Sequence, residues 1–339
     1  MNNILTIISC HTDSNIKIDA LTHNIKYFME ISDTIAIVNS LEFIHLNIKR
    51  KIMERYFNKN IIFDDILTDK LCYIYKKKYN DLRNLSNEQL REHWIRHGKR
   101  EKRDFSCKVY NIYFDYKIND KFINHGKWLY FLNKINYSIY NNIILTNDSF
   151  VITRSLISLK TLIEPSIELV SLLNSYENQY HYPDFLRIYN LVGLNKIIKY
   201  YEMTMPKITD FNSCINDFEI KSSDIFDSVK VLYKGTEDFK GNIHFDDKYL
   251  EDYLYNKNYP VVKIKKLLTG TFEYKNIPRD FNSNQYKRLH HDLVSFTDRA
   301  AFEHFKNYGM REGRMYKKNQ SRTLPTFLKN YMNLSGFNL

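Results

Sequence analysis

Glycine and proline are scarce in this chain of 339 residues, with nine and six copies, and cysteine appears four times. So little glycine leaves no room for a Gly-rich phosphate cradle: neither GxGxxG nor GxxxxGK[ST] occurs, so a standard dinucleotide fold and a P-loop are both unsupported. GxSxG and HExxH are missing as well, which removes the nucleophile elbow and the zincin helix. Cys10, Cys72, Cys107 and Cys214 are far apart and form no CxxC pair, so neither a disulfide framework nor a structural zinc is expected. No apolar run approaches the ~18 residues that span a bilayer, and the amino terminus lacks a signal-peptide layout. A soluble, reduced, cytoplasmic protein is the expectation.

What is abundant is Asn, Ile, Lys and Tyr, a bias that fits coding in an AT-rich genome. Hydrophobic residues make up 43% and aromatics 15%, which argues for a folded chain of about two domains. The net charge of +11 suggests acidic partners: nucleic acid, anionic lipid or nucleotide diphosphates. The denser basic stretches are Lys76–Lys78, Arg96–Arg103 and Lys263–Lys266. None carries a helix-turn-helix, zinc-finger or RNA-recognition signature, so no specific nucleic-acid partner is expected.

The chain contains one pattern twice. Residues 75–103 align with 286–314 without a gap, at a constant offset of 211 residues. Tyr75, Asp81, Leu82, His93, Gly98, Glu101 and Arg103 match Tyr286, Asp292, Leu293, His304, Gly309, Glu312 and Arg314. Ser86 with Gln89 has the form of a capping box, and Leu85 with Leu90 that of a hydrophobic staple. Thr297, Phe296 and Ala301 repeat that logic in the second copy. Leu90, Trp94 and His97 are expected on one helical face, with Gly98 as a left-handed stop; Phe305, Tyr308 and Gly309 take those roles later. Each copy predicts a small helical hairpin in which His93 or His304 packs and hydrogen-bonds, braced by Asp81 with Arg103 or Asp292 with Arg314. The modules leave homo-oligomerisation or partner binding open.

Around the modules, apolar runs and helical spacings alternate. Strands are expected at Ile4–Ile8, Thr34–Val38, Ile61–Phe63, Val109–Phe114, Ile143–Thr146 and Ile167–Leu173. Helices are expected through Ile18, Leu21, Ile25 and Phe28, through Ile44, Ile48, Ile52 and Tyr56, and around Trp128–Leu132. The fold class is therefore α/β: a Rossmann-type, mostly parallel sheet with helices on both faces, plus two helical repeat modules. Ligands of such sheets sit beyond the carboxyl ends of the strands. Those ends carry Ser9, Cys10, His11 and Thr12, then Asn39 and Ser40, then Asn147, Asp148 and Ser149. Asp148 with the Ser149 hydroxyl can hold a divalent cation that bridges a diphosphate, or else cap a helix opening at Phe150. Both readings stand at the level of sequence.

LTNDSF at 145–150, followed by NSYENQYHYPDFLRIYN at 174–190, resembles glycosyltransferases related to rhamnan synthesis protein F. FINHGKW at 122–128, NDFEIKSS at 216–223 and NYPVVKIKKL at 258–267 resemble further segments of that family, in order. The repeated module is similar to one attached to glycosyltransferases predicted in giant DNA viruses and bacteria, which would place the protein in host cytoplasm. The resemblance implies a GT-A-like fold at 1–66 and 105–275. The inserted module then occupies 67–104, the second module 276–318 and a tail 319–339. It implies hexosyl or deoxyhexosyl transfer from a nucleotide-sugar donor, a UDP-sugar foremost, to a glycan or glycoprotein acceptor, with Mn²⁺ or Mg²⁺. Asn147, Asp148 (the metal ligand) and Ser149 would take the donor site. Asn124, Gly126 and Lys127 would lie near the sugar or diphosphate, with His181 and Glu219 adjacent. His181, Asp184 and Glu177 are the candidate bases, His181 being equally readable as a buried, hydrogen-bonded residue. Glu219 reads as a structural partner of a lysine. Trp128 stands where a related pattern often has an acidic residue, and no full Asp-x-Asp is present. A catalytically silent glycan- or protein-binding relative is the first alternative, and a nucleic-acid binder the second.

Overall fold

A computed structural model describes residues 3–41, 51–52, 55–56, 61–63, 69–98, 101, 103, 110–269, 276–310, 312, 314–317 and 324–337. Ten strands are described: β1 (Ile4–Cys10), β2 (Thr34–Asn39), β3 (Ile61–Phe63), β4 (Tyr110–Tyr116), β5 (Asn142–Asn147), β6 (Phe150–Ile152), β7 (Leu169–Leu173), β8 (Leu186–Asn190), β9 (Val229–Tyr233) and β10 (Val261–Lys263). Contacts divide the chain into two units. Unit 1 takes residues 1–148, 155–175 and 179–235, and unit 2 takes 149–154, 176–178 and 236–339.

Unit 1 is built on an eight-stranded sheet in the order β3-β4-β2-β1-β5-β8-β7-β9. β8 runs antiparallel to both β5 and β7, and every other pairing is parallel. Every residue of β1 and β2 is buried, as expected of strands covered on both faces. Their side chains alternate between two layers. Leu5, Ile7, Ala36 and Val38 join one core with Trp128 and Leu132 of α4 (Ile123–Leu132) and with Leu194, Ile197 and Tyr201 of α5 (Leu191–Thr204). The opposite layer meets α1 (Asn15–Ile31), whose Ile18, Leu21, Ile25 and Phe28 are buried at the spacing seen in the sequence. The α/β class with a Rossmann-type, mostly parallel sheet is thus the one observed. Of the second expected helix, Ile52 and Tyr56 are helical, while Ile44 and Ile48 lie outside the described residues.

Both repeat copies show the same internal wiring. The first has α2 (Asp69–Lys78), a short turn at Asn80–Leu82, α3 (Asn87–His93) and a π-helical turn at Trp94–Gly98. Tyr75, Leu82, Leu90 and Trp94 form its core. In the second, α7 (Ser283–Leu289) and α8 (Asp298–His304) are followed by a π-helical turn at Phe305–Gly309, around Tyr286, Leu293, Ala301 and Phe305. The Tyr75 hydroxyl meets His93 Nδ1 at 3.1 Å, and Tyr286 meets His304 at the same distance. Arg103 reaches Asp81 at 2.7 Å and Glu101 at 2.6 Å; Arg314 reaches Asp292 at 2.6 Å and Glu312 at 2.5 Å. The capping box of Ser86 and Gln89 is formed, and Thr297 caps α8.

Two details differ from the sequence reading. Among the described glycines, Gly336 has a positive φ and Gly98 and Gly309 do not, so neither ends its helix in the left-handed region. They are glycine for space instead: a Cβ at either would fall 2.3 Å from the Tyr75 or Tyr286 hydroxyl oxygen. The π-turn also rotates His97 out of the apolar face, leaving it exposed while Trp94 stays buried.

Unit 2 holds the β6–β10 ribbon, α6 (Asp247–Tyr255), the second module and α9 (Thr326–Ser335). α9 is a formed helix inside what reads as a tail. Its Tyr331 hydroxyl donates to the Tyr259 carbonyl at 3.2 Å and accepts from Arg154 Nε at 2.9 Å. It ends at Gly336, whose φ of 71° is the left-handed cap that glycine favours.

Candidate functional site

In a parallel sheet the carboxyl ends of the strands share one rim. The reversed β8 brings its amino end to that rim too, since Leu186 pairs with Thr146. Residues 10–13, 39–41, 117–120, 147–148, 174–175 and 181–185 therefore converge, although most of these segments are far apart in sequence.

At the centre is Asp148, buried at 8% exposure. Its own N–H donates to the Ser9 carbonyl at 3.2 Å, and its Oδ2 accepts the His11 N–H at 2.7 Å. Burial raises its pKa, opposed by the His11 N–H and by Lys17 and Lys127. Lys127, buried on α4, donates to the Cys10 carbonyl at 2.9 Å, and its pKa is lowered by burial. The Ser9 hydroxyl donates to Asn124 Oδ1 at 2.9 Å. Asn39 donates to the Thr12 hydroxyl at 2.8 Å, and Ser40 meets His11 Nδ1 at 2.7 Å. Ser9, His11, Thr12, Asn39, Ser40, Asn124, Lys127, Asn147 and Asp148 thus belong to one rim.

Asn124 follows Ile123, whose φ of 52° is a strained value for a β-branched residue. Gly126 lies beside the rim, but the space over it is filled by the chain itself: a Cβ there would sit 2.7 Å from Asp120 Oδ1. Ser149 parts from its neighbour. It falls in unit 2, where its hydroxyl accepts from Lys263 Nζ at 3.1 Å and its carbonyl from the Ile264 N–H at 2.9 Å. Phe150–Ile152 is a strand, so a helix cap at Asp148 or Ser149 is ruled out.

The three candidate bases separate. His181 is buried on the rim; its Nδ1 faces the Gln179 carbonyl at 2.9 Å, and burial lowers its pKa. A ring nitrogen facing a carbonyl carries the proton, so Nε2 is the basic atom. Asp184 is engaged: Oδ2 lies 3.4 Å from His125 Nε2, and its N–H donates to Glu219 Oε1 at 3.2 Å. Glu219 therefore serves the main chain of Asp184. Glu177 falls in unit 2, where its carboxylate accepts from Asn242 Nδ2 at 2.8 Å.

Sequence reasoning missed Asn119, whose Nδ2 lies 3.2 Å from His11 Nδ1, and Asp120. Both follow β4, so the strand-end rule applied to that strand finds them. It also missed His125, packed against Trp128, Tyr201 and Phe218 and 3.7 Å from Cys214 Sγ. Cys214, His125 and Asp184 have the composition of a nucleophilic triad. Burial works against that chemistry: it pushes the thiol up to about 12 and the imidazole down to about 4.

The residues present do not suit a tightly held divalent cation. Among the described residues no group of three or more His, Cys, Asp or Glu is placed to hold one. The carboxylate that the sequence offered has one oxygen committed to an N–H. Hard cations need several oxygen ligands, and this set does not supply them.

No family model matches the chain, and no curated protein matches it. Solved structures resemble it weakly. An active-site mutant of LgtC shares 8% identity, with a TM-score of 0.35 over 98% of this chain and 95% of that one. GlyE of Streptococcus pneumoniae TIGR4, a glycosyltransferase, shares 8% with a TM-score of 0.39 over 94% and 67%. The bifunctional glycosyltransferase WbbM shares 8% with a TM-score of 0.36 over 77% of this chain and 45% of its own. Values this low add nothing to what the rim's own residues say.

Proposed function

We propose that the protein is a glycosyltransferase that uses a nucleotide-sugar donor, a UDP-sugar foremost, and a glycan or glycoprotein acceptor. The observation that carries this reading is the junction of Asp148 with the His11 N–H beside buried Lys127, at the strand-end rim where such sheets take ligands. Lys127 supplies positive potential from beneath, and Lys17, whose Nζ sits 3.1 Å from the His11 carbonyl, supplies it at the edge. Fixed charges facing a developing diphosphate stabilise bond breaking without reorganisation.

In the proposed step the acceptor oxygen bonds to the anomeric carbon as the bond from that carbon to the diphosphate oxygen breaks. The electron pair leaves with the diphosphate, and the acceptor proton passes to His181 Nε2. Burial favours a neutral His181, which is the form a base requires.

The test is a thermal-shift screen of the full chain with UDP-, GDP- and dTDP-sugars, with and without Mn²⁺. A shift that Asp148→Asn removes supports the reading. No shift with any donor favours a catalytically silent glycan- or protein-binding relative. Tight DNA or RNA binding that falls steeply with salt would favour the nucleic-acid alternative.

A further inference from the structure

Unit 2 contains a cavity of 690 Å³ to which the strand-end rim contributes nothing. Small-molecule sites run from roughly 300 to 1,000 Å³, so it is large enough for a disaccharide-sized ligand. Three stretches of unit 2 wall it. Glu177 comes from the segment Tyr176–Asn178, Asp238, Phe239, Asn242 and Asp246 from one loop, and Tyr308 from the second repeat module.

The lining has a definite chemistry. Glu177, half-buried and bonded to Asn242 Nδ2, places a carboxylate in the wall, while Asp246, 3% exposed, caps α6 by accepting the Tyr249 N–H. Phe239 is held in place by stacking on Tyr249, with centroids 3.9 Å apart. Tyr308 is half exposed although it sits in a wall. Glu312 and Arg314 also line the cavity, but that arginine already serves Glu312 and Asp292. Lys240, a further wall residue, lies over the Tyr176 ring. Four carboxylates against two cations make this a poor place for an anion. Hydroxyl groups suit it, because they donate to carboxylates, and so does an apolar face that can lie on an aromatic ring. A pyranose offers both.

We propose that this cavity binds a neutral saccharide. The binding stands independently of the transferase reading above. The cavity also gives the second module work that the first does not share. Tyr308 corresponds to His97 at the constant offset, so the ring in the wall is a feature of one copy.

The test is saturation-transfer NMR on the full chain with lactose, maltose and chitobiose at millimolar concentration, and with a nucleotide sugar as a separate probe. At least one disaccharide is expected to bind. Tyr308→Ala and Glu177→Gln should each weaken it roughly tenfold while nucleotide-sugar binding and melting temperature hold. Should Tyr308→Ala fold poorly, Tyr308→His replaces it, since the first module folds with histidine at that position. The proposal is overturned if no disaccharide binds, or if the cavity variants bind saccharide like wild type. Disaccharide binding without nucleotide-sugar binding supports the site and sinks the transferase reading.

Discussion

Asp148 Oδ2 lies 2.7 Å from the main-chain nitrogen of His11, so the carboxylate ending β5 is tied to the turn that leaves β1. Two opposing effects meet there. Burial disfavours the charge, while the N–H and the lysines favour it, and burial has the larger say. The fold therefore makes ionising this carboxylate costly, which is the arrangement expected where a carboxyl group is kept for use.

Asp148→Asn keeps an oxygen to accept the His11 N–H. Its folding stability should change by less than about 1 kcal/mol, whereas donor binding should weaken by on the order of tenfold, since a charged acceptor for the donor's hydroxyl groups is lost. The sign with pH follows from the raised pKa. The cost of the ionised form is present above the folded pKa and is relieved as pH falls through it. The amide variant should thus compare best with wild type near neutrality and lose that advantage in acid. Urea melts and donor titrations check both.

His125 should make the protein acid-sensitive. Its pKa is lowered from 6.5 to about 4 by burial, partly offset by Asp184. Stability from this group is complete above the unfolded value and lost as pH falls from about 6.5 towards 4, in total on the order of 3 kcal/mol. Urea unfolding across that window should show the loss, and His125→Gln should flatten it while lowering stability at neutral pH.

Gly98→Ala and Gly309→Ala should each destabilise by about 1–3 kcal/mol, since the added carbon runs into a tyrosine hydroxyl. Tyr75→Phe removes that oxygen, so the pair Tyr75→Phe with Gly98→Ala should cost less than the two single changes together. A thermal double-mutant cycle measures the difference. Additive costs would mean that the hydroxyl is not what the methyl group meets.

His181→Gln should lower kcat by roughly 10²–10⁴-fold with little change in KM. Because burial lowers the His181 pKa below its usual 6.5, the acid limb of kcat/KM in the wild type should lie below that value and vanish in the variant. A pH profile with the limb unchanged would remove His181 from the role of base.

The sheet was legible in the sequence because its central strands are buried on both faces and read as unbroken apolar runs, as Ile4–Ile8 does. The strand-end rule points from those runs to Ser9, His11, Asn39 and Asp148. The reversal of β8 was not legible: Leu186–Asn190 reads like any buried strand, and direction leaves no mark on composition. His125 and Asp184 could not be paired for that reason, since 59 residues and a strand reversal separate them. Ser149 and Glu177 show another limit. Each sits at a crossing between units, and a single residue there changes its company without any change of local pattern. The glycines of the modules carried the right identity for a different cause: sequence suggests backbone freedom, whereas a neighbouring hydroxyl sets the requirement.

Each module closes its own circuit of tyrosine, histidine, glycine and a guanidinium clamp. A unit wired this way can keep its shape wherever the chain places it, which frees the outward positions to diverge. Histidine at 97 and tyrosine at 308 are one such divergence, two fittings on one chassis, so a new specificity can arise by redecorating a copy instead of remaking a fold.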